Sequence, residues 1–400
     1  MNRLHIAFFG LTNSGKSTLV NAICGQEVSL VSAVPGTTTD PVRKVVELPE
    51  LGPCVLIDTA GIDDGGLLGE ERKRLTRAVM DETDIAVVLD AAPDPDGWTA
   101  RLLATLREED IPTVLYRRGD SVDSLLRQLV EVAPREEGTY LTGDLVREGS
   151  SVVLVMPQDS EAPKGRLILP QVQVLRELLD RGCVPHCCTP DSLPAALESL
   201  SRRPDLVITD SQAFARVDGT IPKDCPLTSF SVLLAAAKGD IDVFVEGARA
   251  IDSLRPGSRV LIAEACTHVP NTEDIGRVKI PALLRKKMAD QVGHDAKQVG
   301  HDSGPVGHDA GQVGHDVMPG STGHLLQIDI AAGNDFPEDL SPYSLIVHCG
   351  ACVANARLVR TRIRKALRAG VPITNYGIAL AALSGILPRV SIPKIRYSRE

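Results

Sequence analysis

Residues 4–17 read LHIAFFGLTNSGKS: an apolar run, then Gly-x-x-x-x-Gly-Lys-Ser, then a helical pattern. This arrangement restricts the fold more than any other stretch of the chain. Its glycines let backbone N–H groups curl around phosphate oxygens, and the helix that follows aims its positive end at them. The sequence therefore predicts a first strand, a phosphate loop formed by Gly10, Asn13, Ser14 and Gly15, and a helix from Lys16. Lys16 is placed to reach the β- and γ-phosphates of a nucleotide and Ser17 to ligate Mg²⁺, with Thr18 beside it among the nucleotide-binding residues.

Two later pieces agree with that reading. Asp58-Thr-Ala-Gly61 follows an apolar strand, so Asp58 is expected to hold Mg²⁺ through water and the Gly61 N–H to sense the γ-phosphate. Between them lies Pro35-Gly-Thr-Thr38-Thr-Asp40, where a switch loop belongs, and Thr38 is the expected hydroxyl on Mg²⁺. This first third resembles the Era/TrmE-like GTPases. The resemblance implies GTP as the nucleotide, with Lys16, Asp58 and Gly61 as the hydrolytic set. Asn13 matches the group's asparagine for an activating K⁺, and Ile62 its apolar residue after D-x-x-G. Both imply slow, cation-assisted hydrolysis without a catalytic Gln. The base-reading part departs from the pattern. Where Asn-Lys-x-Asp is expected the chain has Arg117-Arg118-Gly119-Asp120, leaving Asp120 alone to grip guanine. It then runs almost directly into SVDSLLRQLVEVAP, so a strand and a helix are missing and base selectivity is expected to relax.

Short apolar runs alternate with helical patterns throughout, the pattern of parallel sheets covered by helices. The alternation restarts near Gly149 (SVVLVMP, DLVITD, VFVEGARAI) and again at RVLIAEACTH, LLQIDIA and SLIVHCGACV. The expected fold class is α/β: a P-loop GTPase-like parallel sheet followed by two further α/β units. The domains are read as 1–148, 149–258 and 259–400, with an insertion at 291–317. That insertion repeats QVGHDxx and carries His294, His301, His308 and His315. One Val per seven residues makes no coiled-coil seam, so disorder is expected. The net charge of −9 argues against a general nucleic-acid or anionic-membrane binder. The first apolar run leads into a Gly-rich turn, as a strand does and a signal peptide does not, which predicts a cytoplasmic protein with no membrane partner. Nine cysteines in such a compartment argue against a disulfide framework.

Cys266-Thr-His268 ends one strand-like run and His348-Cys349-x-x-Cys352 another, and parallel strands end on one side of a sheet. Three thiols and two imidazoles suit zinc as Cys₃His, a [4Fe–4S] cluster with one open iron, or disulfide exchange; the distant Cys266 argues against the last. A GTPase of this type, a middle α/β unit and a C-terminal C-x-H…H-C-x-x-C together resemble the HydF family of [FeFe]-hydrogenase maturation GTPases. The resemblance covers nearly the whole chain. It implies a scaffold or carrier that binds a [4Fe–4S] cluster through Cys266, Cys349 and Cys352, with His268 and His348 as further candidate ligands. It also implies a diiron precursor as cargo, apo-[FeFe]-hydrogenase as recipient, the radical-SAM maturases HydE and HydG upstream, and a homodimer formed through the middle domain. Rival readings are a tRNA-modifying GTPase with a zinc module, and a cluster-binding module whose nucleotide domain is vestigial.

Two further stretches are singled out. Val353–Arg399 holds ten Arg or Lys and no Asp or Glu, either a solvated helix face or a wall facing an anionic cluster. Cys183, His186, Cys187 and Cys188 are read as thiols buried at a strand end rather than a second metal site.

Overall fold

The computed structural model describes residues 3–25, 41–59, 68–90, 94, 97–117, 119–134, 140–158, 165–265, 274–299, 326–333 and 335–395. For 68–73 and 291–299 it describes the backbone alone. The chain divides into two compact units, 1–138 with 354–362, and 139–353 with 363–400.

In the first unit β1 (Leu4–Phe9), β2 (Val42–Leu48), β3 (Gly52–Asp58), β4 (Ile85–Asp90) and β5 (Thr113–Arg117) form one sheet in the order β2-β3-β1-β4-β5. Four helices accompany it: α1 (Lys16–Cys24), α2 (Leu68–Glu82), α3 (Trp98–Glu108) and α4 (Val122–Val132). Alternate residues of β1 enter opposite cores. Ile6 and Phe8 pack with Leu56, Val87 and Leu125, whereas Ala7 and Phe9 pack with Ile57, Val88 and Trp98. A strand buried on both faces reads as a continuous apolar run, which is why HIAFFG was legible. β2 departs from the parallel expectation: it pairs antiparallel with β3. Only Pro49–Leu51 connect the two, with Glu50 at φ 65°, and so short a link permits a hairpin but no crossover.

The second unit holds two all-parallel sheets. The first contains β6 (Ser151–Val155), β7 (Val184–Cys188), β8 (Leu206–Thr209) and β9 (Leu227–Ser229), ordered β7-β6-β8-β9. Its helices are α5 (Leu169–Asp180), α6 (Leu193–Glu198), α7 (Phe214–Thr220), α8 (Phe230–Lys238), α9 (Ile241–Ala248) and α10 (Ala250–Ser253). The other sheet contains β10 (Ser258–Glu264), β11 (Leu326–Ala332), β12 (Leu345–His348) and β13 (Ile373–Asn375), ordered β11-β10-β12-β13. With it go α11 (Ile280–Val299) and α13 (Tyr376–Leu383), while α12 (Ala356–Arg368) is divided, its residues up to Arg362 counting with the first unit. Near its end the chain returns to the earlier sheet, where Ser391 N–H donates to Leu227 O at 2.7 Å.

Three expectations change here. VFVEGARAI is helical, because the Asp240 carboxylate accepts the N–H groups of Asp242 and Val243 at 3.1 Å each and starts α9. The repeat is not disordered from its first residue: α11 carries the backbone on to Val299, and residues 300–317 lie outside the described set. A helix already nucleated extends cheaply through residues of poor propensity. Cys187 and Cys188 close β7, an edge strand, at its C-terminal end as expected, but of the thiols expected to be buried only Cys183 is: Cys187 is exposed and Cys188 half-buried.

α9 crosses β13 closely at Gly247, where an added Cβ would lie 2.0 Å from the Ile373 carbonyl oxygen. Gly247→Ala should therefore cost at least the ~1–3 kcal/mol of an overpacked core, read as a lowered midpoint in thermal or urea unfolding.

Candidate functional site

The phosphate loop leaves β1 at Gly10 and enters α1 at Lys16. Two left-handed residues shape it, Asn13 at φ 61° and Gly15 at φ 94°. Asn is among the few side chains that tolerate this conformation. Gly10 is needed for close approach, since a Cβ there would lie 2.6 Å from Ser14 Oγ. α1 starts with no side-chain cap, so its first N–H groups remain available to a ligand. Lys16 is buried, and its Nζ donates to the carbonyls of Gly10 and Leu11 at 2.9 Å each. Its ammonium thus stands over the loop. Ser17 and Thr18, one and two residues on, are exposed.

Asp58 ends β3, the direct neighbour of β1, with Phe8 opposite it. The Ser17 hydroxyl hydrogen-bonds its carboxylate, so two of the three residues expected on Mg²⁺ are adjacent. Burial pushes the Asp58 carboxyl above the usual range, against opposing pulls from that hydrogen bond and from Lys16 and Lys44. Asp58 Oδ1 and Ser14 Oγ are buried without a protein partner. Orphaned oxygens beside a buried ammonium suit a hydrated metal–phosphate group, which would satisfy all of them. Thr38 and Gly61 lie outside the described residues.

At the base-reading end, Asp120 Oδ2 accepts the Arg117 N–H at 2.7 Å, and Asp120 O accepts the Tyr116 hydroxyl at 2.7 Å. Asp120 is exposed and one of its oxygens is engaged in its own turn. β5 is an edge strand, and α4 follows it directly.

In the second unit, β10 and β12 are neighbours with Ala263 opposite His348. Cys349 Sγ accepts the N–H of Ala265 at 3.1 Å and that of Ala351 at 3.4 Å. A sulfur taking two backbone donors is suited to the thiolate state, the form that ligates metal. Ala265 immediately precedes Cys266; Cys266 and His268 lie outside the described residues. His348 is buried, with Nδ1 2.7 Å from Cys349 O, so that nitrogen is engaged with the backbone. Cys352 is half-buried. Among the described residues no group of three metal-ligating side chains occurs.

Residues 141–239 match the model of the hydrogen maturase F dimerization domain, and residues 242–305 and 307–393 that of its tetramerization domain. The chain belongs to the hydrogen maturase F family. Residues 5–118 match the 50S ribosome-binding GTPase model, so the chain carries a GTPase domain. The tRNA modification GTPase MnmE of Xanthomonas oryzae pv. oryzae is 35% identical over 127 residues, 32% of this chain and 25% of that protein. GTPase Der of Mycoplasmopsis pulmonis is 35% identical over 115 residues, 28% and 26% of the two chains. The chain thus spans about a quarter of the length of the curated relatives it matches. Among solved structures, an Aquifex aeolicus Era variant bound to GDP·AlF₄⁻ is 16% identical with a TM-score of 0.25, covering 50% of this chain and 99% of that one. The cytosolic domain of T. maritima FeoB is 17% identical with a TM-score of 0.20, covering 33% and 65%.

The hydrogen maturase F match adds a tetramerization domain to the dimerization domain that the sequence anticipated. No helix among the described residues is long and apolar enough to cross a membrane. The basic stretch is not simply a solvated face. Arg362 is buried, and Arg357 donates to Glu109 O and Asp110 O at 2.6 and 3.1 Å. Sequence reasoning missed two residues. Lys238 is buried at the end of α8 and donates to Ala351 O at 2.7 Å and Cys352 O at 3.2 Å. Burial pushes its ammonium down to about 8, while the Cys352 and Cys349 thiols pull the other way. Tyr376, at the start of α13, buries its hydroxyl without a protein partner, in space that Gly276 leaves open.

Metal binding at Asp58 needs the carboxylate, and burial raises the pH at which protons compete for it. Mg²⁺-dependent nucleotide affinity, followed by fluorescent-nucleotide titration, should therefore weaken on acidification before an ordinary carboxylate would protonate. Asp58→Asn should remove that pH step along with most of the Mg²⁺ dependence.

Proposed function

We propose that this chain is a GTP-dependent carrier in [FeFe]-hydrogenase maturation. It binds a [4Fe–4S] cluster through Cys266, Cys349 and Cys352, holds a diiron precursor there, and delivers it to apo-hydrogenase. The observation that supports this best is the 3.1 Å hydrogen bond from Ala265 N–H to Cys349 Sγ. It brings the residue before Cys266 against the Cys-x-x-Cys loop, although 84 positions separate the two partners. The cluster would supply an open iron position for a weak ligand or the incoming diiron unit. The protein's own part is to hold three thiolates, with His268 and His348 near them, and to exclude water from that end of the sheet.

The work divides over the domains 1–148, 149–258 and 259–400, with the repeat at 291–317 as an insertion. Nucleotide binds in the first, where Mg²⁺, held by Ser17, Thr38 and, through water, Asp58, neutralises developing phosphate charge. Lys16 stabilises the same charge, and Gly61 senses the γ-phosphate. Hydrolysis is slow and serves timing, with Asn13 holding K⁺. Asp120 reads guanine weakly, in keeping with the oxygen it commits to its own turn. The protein works in the cytoplasm as a homo-oligomer, receiving its cargo through HydE and HydG.

Anaerobic reconstitution with iron and sulfide tests the cluster. Wild type should show broad visible absorption and, once reduced, an electron paramagnetic resonance signal. Cys266→Ser, Cys349→Ser and Cys352→Ser should each lose most of both. A colourless wild type that takes up zinc instead would sink the carrier reading. For the nucleotide site, GTP turnover should be faster in K⁺ than in Na⁺, and Asn13→Ala should erase the difference; equal wild-type rates would remove the cation from the scheme.

A further inference from the structure

The Cys-x-x-Cys loop is gripped from outside its own sheet. Lys238 ends α8, a helix otherwise apolar except for Ser231, FSVLLAAA. Its Nζ crosses to the backbone carbonyls of Ala351 and Cys352, more than a hundred positions later in the chain. Only 5% of Lys238 is exposed. An ammonium taken this far from water is expensive unless something at the site needs it. The two carbonyls belong to a loop that needs anchoring, since Ala351 sits at φ 49°, a left-handed conformation that a residue with a Cβ adopts only when held there.

We propose that Lys238 is a positioning residue for the cluster site: it pins the carbonyls of Ala351 and Cys352 so that the Cys349 and Cys352 sulfurs stay in ligating geometry, and it stations a positive charge beside the anionic cluster. This rests on the cluster reading above. A cluster gains negative charge when reduced, and a fixed positive charge nearby favours the reduced form. The lysine thus has two separable effects, one on loop rigidity and one on reduction potential.

Three variants of the full-length protein separate them. Lys238→Met removes donor and charge. Lys238→Gln keeps a donor without charge, and Lys238→Arg keeps both. Hydrogen exchange on the cluster-free protein reads the brace. Amides of residues 349–353 should exchange faster than wild type in Lys238→Met, and close to wild type in the Gln and Arg variants. Redox titration of the reconstituted protein reads the charge. The midpoint should move to more negative potential in both Met and Gln variants and return toward wild type in Arg. Unchanged exchange in folded Lys238→Met, confirmed by circular dichroism, would overturn the brace. An unchanged midpoint and resonance spectrum in Lys238→Gln would overturn the electrostatic part. Should Lys238→Met fail to fold, Lys238→Gln against Lys238→Arg still decides the charge, and slow exchange in Gln with fast exchange in an Ala variant decides the brace. If wild type takes up no cluster, the carrier reading fails while the exchange comparison still decides the brace.

Discussion

β10 is flanked by β11 on one side and β12 on the other, and that placement decides where the second unit can do chemistry. All these strands run parallel, so their C-terminal ends share one edge. The chain leaving β10 reaches β11 on one side, while β12 occupies the other, and the connections part at the end of β10. Such a point is where a crevice opens in a parallel sheet. The residues at its two lips are those after Glu264 and after His348. The first unit repeats the arrangement, with β1 between β3 and β4 and the phosphate loop at the parting. The phosphate loop and the Cys349–Cys352 loop thus sit at equivalent places because strand order, not side chains, makes the opening.

Those openings hold polar atoms that the fold alone does not satisfy. Ser14 Oγ and Asp58 Oδ1 lack partners at one, and the Tyr376 hydroxyl lacks one near the other. Each such atom costs about 1–3 kcal/mol when buried. A core selected only for stability would replace them with apolar groups. Lys16 shows the alternative: its ammonium is buried with partners, donating to the carbonyls of Gly10 and Leu11 in the loop itself. Both the unpartnered oxygens and the buried ammonium concentrate polar groups at the loop rather than in the apolar cores.

The sequence was most legible where one local pattern carries the physics. Gly10–Ser17 marked its loop and helix, and apolar runs such as HIAFFG, SVVLVMP and RVLIAEA marked enough strands to separate three sheets. Legibility failed where the deciding partner lay elsewhere or outside the chosen pattern. β2 is largely exposed, so VRKVVEL offers no buried run, and its strand character comes from pairing with β3. VFVEGARA has the β-branched look of a strand, yet one capping carboxylate at Asp240 settles it as helix. Thr38, Gly61, Cys266 and His268 were named from motifs, and lie outside the described residues.

Lys238 fails to announce itself for a more instructive reason. At the end of FSVLLAAAK a lysine is what the helix dipole favours, and its expected place is in solvent. Its burial follows from the packing of α8 against the rest of the second unit, which no window of sequence contains. α8 falls within the dimerization-domain match and the loop it holds within the tetramerization-domain match, so the boundary between the two family models is not a mechanical boundary. The return of Ser391 to Leu227 crosses the same line. Two sheets that read as separate units along the chain therefore share polar contacts at the loop that carries the cysteines. The Cys349–Cys352 loop held by one of them alone would lack the two hydrogen bonds that Lys238 brings from the other.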